Sequence, residues 1–211
     1  PIGDSNCVGC GQCAAVCPTG AIIIKNDSHR LWKELNQEDT IAVAQVAPAV
    51  RVAVAKEFGY NGENVMGKIV AALRRIGFNY IFDTSTAADL TVMEESKEFA
   101  DRLANGGKLP LFTSCCPAWI KYAENEYPEI LPNISTCRSP MQMFASVINE
   151  KFKGEGKKIL SVAVMPCTAK KGEAARDEFK DENGKPLVDF VITTQELIMM
   201  IKAVSYTHLR A

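Results

Sequence analysis

The sequence predicts an α/β fold built on a mostly parallel sheet, with a small cysteine-rich segment in front of it. Three observations lead there. From residue 41 onward, short apolar runs alternate with stretches of helical periodicity, the pattern of strands joined by crossover helices. The 211 residues are 47% apolar with a formal net charge of −1, which suits one sizeable core and a small appendage. Four of the eight cysteines fall within residues 7–17, ahead of the alternating region.

Residues 1–26 are rich in cysteine and glycine and end in the apolar run 21–24. A polar stretch, a short helical segment over 31–35 and an acidic link make 27–40 a linker between two domains. A buried strand is expected over 41–46, ending at Ala47-Pro48-Ala49-Val50-Arg51. Val65, Ile69, Ala72, Leu73 and Ile76 give residues 62–76 a helical face, and Gly77 stops it. A short strand over 80–82 leads into a long helix over 87–104, closed by Gly106-Gly107. The run 109–112 reads as a strand entering Cys115-Cys116. Pro117 then opens a helix that reaches 126, since proline is favoured in a first turn. A helix over 141–153 follows, and a strand over 159–164 ends at Met165-Pro166-Cys167. A last strand over 190–192 runs into a C-terminal helix. Residues 41–203 thus make one lobe, and 204–211 read as a non-native tail that carries no functional argument, His208 included.

The composition narrows the function. No basic excess points to nucleic acid, and no apolar stretch is long enough to span a membrane. The chain begins at Pro1, almost at its first motif, and reads as a fragment without a signal peptide. Eight cysteines without a secretory signal suit metal ligation in a reducing cytoplasm better than a disulfide scaffold.

Cys7-x-x-Cys10-x-x-Cys13-x-x-x-Cys17-Pro18 has the spacing of a bacterial ferredoxin cluster motif. Gly9 and Gly11 let backbone amides approach cluster sulfurs, contacts that tune the reduction potential. In two-cluster ferredoxins the fourth cysteine serves the other cluster, so Cys7, Cys10 and Cys13 would hold one and Cys17 another. The alternative is a zinc site, which usually has two CxxC pairs across a longer loop. Adjacent Cys115 and Cys116, at a strand-to-helix turn, read as two thiols with two tasks: one holding a metal centre, one doing chemistry beside it. In sheets of this kind ligands gather at the carboxyl ends of strands, where this pair and Cys167 are expected. The alternative for Cys116 and Cys167 is a small apolar core residue. Cys137 has no such setting and reads as a core or surface thiol.

Together, Thr113-Ser114-Cys115-Cys116-Pro117-Ala118-Trp119 and Met165-Pro166-Cys167-Thr168-Ala169-Lys170-Lys171-Gly172-Glu173 resemble the first two signature motifs of the [FeFe]-hydrogenases. The resemblance runs from Cys7 to about Lys202. It implies the parallel or mixed α/β lobe of an iron hydrogenase large-subunit domain, preceded by part of a ferredoxin-like [4Fe-4S] domain. The implied activity is 2H⁺ + 2e⁻ ⇌ H₂, with electrons exchanged with ferredoxin or another carrier and with further hydrogenase subunits as partners. The implied cofactors are [4Fe-4S] clusters and the H-cluster, a cubane joined to a two-iron subsite carrying CO, CN⁻ and an azadithiolate. By position, Cys116 and Cys167 match two cubane ligands, Cys115 the proton-relay thiol, and Lys170 the lysine that binds a cyanide. Pro48, Ser114 and Met165 match residues lining the subsite. Glu95, Glu98, Ser135 and Arg102 match the proton path, and the two glutamates, three apart, share a helix face.

The family's third motif, with the other two cubane ligands, has no counterpart in the chain, so this fragment alone is expected to be inactive. Gly172 stands where a bulky residue is common. Two other readings share the resemblance: a hydrogen-sensing relative, and the hydrogenase-like iron–sulfur assembly factors, which lack the relay thiol and the intact lysine motif.

Overall fold

The computed structural model describes residue 2, residues 5–154 and residues 156–208. Its centre is a sheet of β1 (Thr40–Val46), β2 (Tyr80–Asp83), β3 (Lys158–Met165) and β4 (Phe190–Thr193), in the order β2-β1-β3-β4 with every pairing parallel. β1 and β3 lie in the middle and are buried over most of their length, which is why they read as continuous apolar runs. On one face Ala42, Ala44 and Val46 pack with Leu160, Val162 and Val164 in the larger core. Val43, pointing the other way, packs with Ala87, Phe144, Ile148 and Phe152.

The helices are α1 (Gln12–Val16), α2 (Ser28–Leu35), α3 (Pro48–Glu57), α4 (Met66–Ile76), α5 (Ser85–Asn105), α6 (Pro117–Glu126), α7 (Pro140–Lys151), α8 (Ala169–Ala174) and α9 (Thr194–His208). α4 ends where its glycine predicts: Gly77, at φ 120°, turns its N–H back to Leu73 and Arg74. The helix foreseen within 27–40 is α2, and its Leu31 is completely buried in the larger core. α9 runs through the first part of the stretch read as a tail, with Val204 against the core. Residues 209–211 lie outside the described residues.

One expectation is corrected, and one helix is added. The run 109–112 forms no strand of the sheet: Phe112 makes a single bridge to Ile134, with Phe112 N–H on Asn133 O at 2.9 Å. Pro110 has no N–H to give a ladder, so the segment cannot extend into one. Cys115-Cys116 therefore arrive from a loop and not from a sheet strand. The added helix is α3, for which the sequence assigned no element. Val50, Val52 and Val54 alternate like a strand, yet Val50 and Val54 are buried while Val52 is 72% exposed, the four-residue spacing of a helix. Pro48 sits at its first turn and forces the departure from β1.

Lys171 ties the N-terminal part to the lobe. Its Nζ donates to Asp27 Oδ2 at 3.0 Å, Glu196 Oε1 at 3.0 Å and Val191 O at 2.7 Å, while Asp27 N–H donates to Glu196 Oε1 at 2.7 Å. Both carboxylates are buried. Removing the ammonium takes away the cation beside Glu196 and leaves Asp27 to the more exposed Lys25 and Arg30, so Lys171→Ala is expected to cost about 3 kcal/mol in denaturant unfolding.

Candidate functional site

The topology makes a crevice. From β1 the chain crosses toward β2 on one side, and β3 and β4 lie on the other, so the carboxyl ends of β1 and β3 flank a switch point. Pro48 opens α3 just beyond β1, Met165 closes β3 in a buried position, and Cys167 follows, half-buried. Cys115 and Cys116 are both exposed, at the N-terminus of α6. Buried Lys170, on α8, joins the two motifs: its Nζ donates to Cys115 O at 2.9 Å and stands 2.6 Å from Glu173 Oε2. With one N–H on that carbonyl and one toward Glu173, an ammonium keeps a third donor for an anionic ligand. Glu173 had no assigned role in the sequence reading. Its i+3 spacing from Lys170 on a short helix was the available signal.

Beside this corner lies a cavity of about 460 Å³ lined by Ser114, Pro117, Ser135, Cys137, Glu173 and Arg176 among others. Ser114 Oγ donates to Cys137 O at 2.5 Å, which closes that wall. A second groove of about 460 Å³ faces outward along Lys97, Glu98, Arg102 and Thr136. Cys137 lines both.

Between the two stands a polar cluster on α5 and the loop after Ile134. Arg102 donates to Glu98 Oε1 through Nε at 3.1 Å and Nη2 at 2.6 Å. Its remaining N–H groups reach Lys108 O and Pro132 O at 3.1 Å and Ile134 O at 2.9 Å. Ser135 Oγ donates to Glu98 Oε2 at 2.9 Å, and Thr136 N–H to the same oxygen at 3.0 Å. The structure thus brings Glu98, Arg102 and Ser135 into direct contact. Glu95 stands apart, on the same helix, with Oε1 buried and without a hydrogen-bond partner. Cys137 Sγ lies 3.9 Å from Glu98 Oε2.

Burial opposes the charge on Glu98, but the hydrogen bonds from Ser135, Arg102 and Thr136 outweigh it and hold its carboxyl below the usual range. Burial, and then the negative charge of Glu98, push the Cys137 thiol up, so it stays protonated at neutral pH. In the N-terminal segment Cys17 is lowered to about 7, first by the Thr19 hydroxyl and then by backbone N–H groups.

Cys7, Cys10 and Cys13 are exposed along one loop and α1. Gly9 at φ 71° and Gly11 at φ 80° carry the left-handed turns between them. Among the described residues no three His, Cys, Asp or Glu side chains converge on a single metal ion. A cubane asks for something else, because each thiolate binds a different iron and the ligands stand apart. The donor set is entirely thiolate, the soft chemistry that iron–sulfur clusters take, and it fits such a group.

Two measurements check this electrostatic picture. The stability Glu98 contributes is complete above its unfolded value of about 4.3 and lost as pH falls through its lower folded value. Glu98→Gln should therefore flatten the acid limb of the stability–pH curve. In the metal-free chain at pH 7, mass spectrometry should find Cys17 alkylated by iodoacetamide several-fold faster than Cys137.

Comparison with known proteins bears on the family and the fold. Residues 40–209 match the family model of the iron only hydrogenase large subunit, C-terminal domain, and residues 1–23 match a 4Fe-4S binding domain. The HndD subunit of the NADP-reducing hydrogenase from Solidesulfovibrio fructosivorans is 45% identical over 212 residues, covering 95% of this chain and 36% of that subunit. The cytosolic iron-sulfur assembly component 3 of Bos taurus is 34% identical over 215 residues, covering 93% of this chain and 45% of its own length. The solved apo [FeFe]-hydrogenase HydA1 of Chlamydomonas reinhardtii superposes with a TM-score of 0.79 at 36% identity, over 86% of this chain and 48% of the other. The chain spans about a third to a half of the length of these relatives. With a thiolate set for iron–sulfur cofactors ahead of a parallel α/β lobe, the chain belongs to the iron-only hydrogenase large-subunit family.

Proposed function

We propose that this chain is part of an [FeFe]-hydrogenase, whose whole protein interconverts protons, electrons and H₂ and exchanges the electrons with ferredoxin or a similar carrier. The observation that carries the reading is the bonded set Arg102–Glu98–Ser135, running inward from an outer groove toward the wall of Ser114 and Cys137. A hydrogen-bonded carboxylate and hydroxyl can hand a proton along without either leaving its site.

In this reading the H-cluster, when bound, supplies the iron chemistry at which H₂ forms. Cys116 and Cys167 hold it as thiolate ligands. Cys115 keeps a proton on its thiol beside the reacting centre, and Glu95, Ser135 and Glu98 bring that proton in from the groove at Arg102. Lys170 directs its free N–H at an anionic ligand in a charge-assisted hydrogen bond. Pro48, Ser114 and Met165 shape the pocket. Cys7, Cys10, Cys13 and Cys17 hold [4Fe-4S] clusters that deliver electrons. Eight free thiols favour a reducing cytoplasm, and further hydrogenase subunits are the expected partners.

A role in iron–sulfur assembly is the second reading, favoured by the relative of that kind. Cys115 and Lys170, which match the relay thiol and the lysine motif, argue against it. Cys115→Ser in the whole protein should lower H₂ turnover at least about 100-fold with iron content unchanged. Turnover at the parent level would sink the assignment. Cys116→Ala should instead remove the electron paramagnetic resonance signal of the active-site cubane.

A further inference from the structure

The cysteine loop meets the lobe through two of its backbone carbonyls. Thr168 Oγ1 donates to Gly9 O at 2.7 Å, across 159 residues of sequence, and Asn125 Nδ2 donates to Asn6 O at 3.1 Å. The fit at the first contact is close. A Cβ on Gly9 would lie 3.6 Å from Ala169 Cα, and a Cβ on Gly11 would come within 2.8 Å of Thr168 Oγ1. Gly11 also caps α1, so where it rests fixes where the helix bearing Cys13 begins. Residues 7 and 9 share a cavity of about 450 Å³ with Thr168, Ala169 and Glu173, so loop and lobe face each other along this line.

We propose that Thr168 is a positioning residue for the N-terminal thiols: its hydroxyl, seated against Gly9 and Gly11, holds the 7–13 loop on the corner that follows Cys167. The contact is made of protein atoms alone. Gly9 lies between Cys7 and Cys10, and Thr168 is bonded directly to Cys167, so one hydrogen bond joins the two sets of thiols and sets the distance between them. That this distance governs electron passage rests on the hydrogenase reading. The docking itself does not.

Hydrogen exchange on the metal-free chain tests it, read at the α1 amides, where Ala15 N–H bonds Gly11 O at 3.2 Å. Thr168→Val should speed their exchange about three- to tenfold, the effect of one lost hydrogen bond, with β1 and β3 unchanged. Thr168→Ser, which keeps the hydroxyl, should restore the parent rate. Parent-rate exchange in Thr168→Val overturns the proposal, as does accelerated exchange in Thr168→Ser. If valine also loosens β1 or β3, Thr168→Ala takes its place, and parent-rate exchange there overturns it equally. The exchange readout needs no iron. A chain that takes up no iron–sulfur cluster on reconstitution would count against the hydrogenase reading and leave the docking result as it stands.

Discussion

Parallel pairing of β1 with β3 sets up everything else in the molecule. The two strands run in register from Thr40 opposite Lys158 to Val46 opposite Val164, and Ala47 N–H continues the ladder onto Val164 O at 3.0 Å. Because they are parallel, their carboxyl ends emerge at the same level. Because the chain leaves them toward opposite edges of the sheet, a gap opens between them. Pro48 and Cys167 stand on its two sides for that reason, although more than a hundred residues separate them in the sequence. An antiparallel pairing would have sent the two motifs to opposite ends of the sheet.

Backbone with no regular partner is then held by side-chain cations. Arg102 has five N–H groups and the structure engages all of them, two on Glu98 and three on carbonyls of irregular chain. A lysine carries fewer donors and no planar fork, and could not serve carboxylate and carbonyls together. The loop that follows is held at its start by this guanidinium on Ile134 O, then by Glu98 on Ser135 and Thr136 and by Ser114 on Cys137 O. Ser135 and Cys137 are thereby fixed beside the cavity instead of moving with a surface loop. Lys170 and Lys171, adjacent on α8, divide similar work. One faces the crevice at Cys115, and the other faces away to join Asp27 and Glu196.

The proposed site is therefore layered. An outer groove, a charged hub, a wall of Ser114 and Cys137 and a corner of exposed and half-buried thiols follow one another. The cysteine loop docks on the far side of that corner through Thr168. Protons and electrons would reach one place from different directions, each along groups that the fold already holds in position.

Much of this could be read from the residues alone. The cysteine spacing, the apolar runs at β1 and β3, and the glycine that ends α4 each carry a local physical reason, and each appears where expected. α6 does too, since Pro117 declares its first turn. Local signals were insufficient at α3, where alternating valines carry no clear helical period and only burial shows the helical face, and misled at 109–112, where an apolar run lacks the N–H of Pro110. What the sequence by itself determined was which chemistry the chain carries, because ligand type and spacing are properties of neighbours along the backbone. Only the tertiary structure decided which groups meet. The contacts of Glu98 with Ser135, Lys170 with Cys115 O and Thr168 with Gly9 O span 37, 55 and 159 residues. They exist because helices and loops packed around the sheet bring distant segments together, a consequence of packing that no stretch of neighbouring residues encodes.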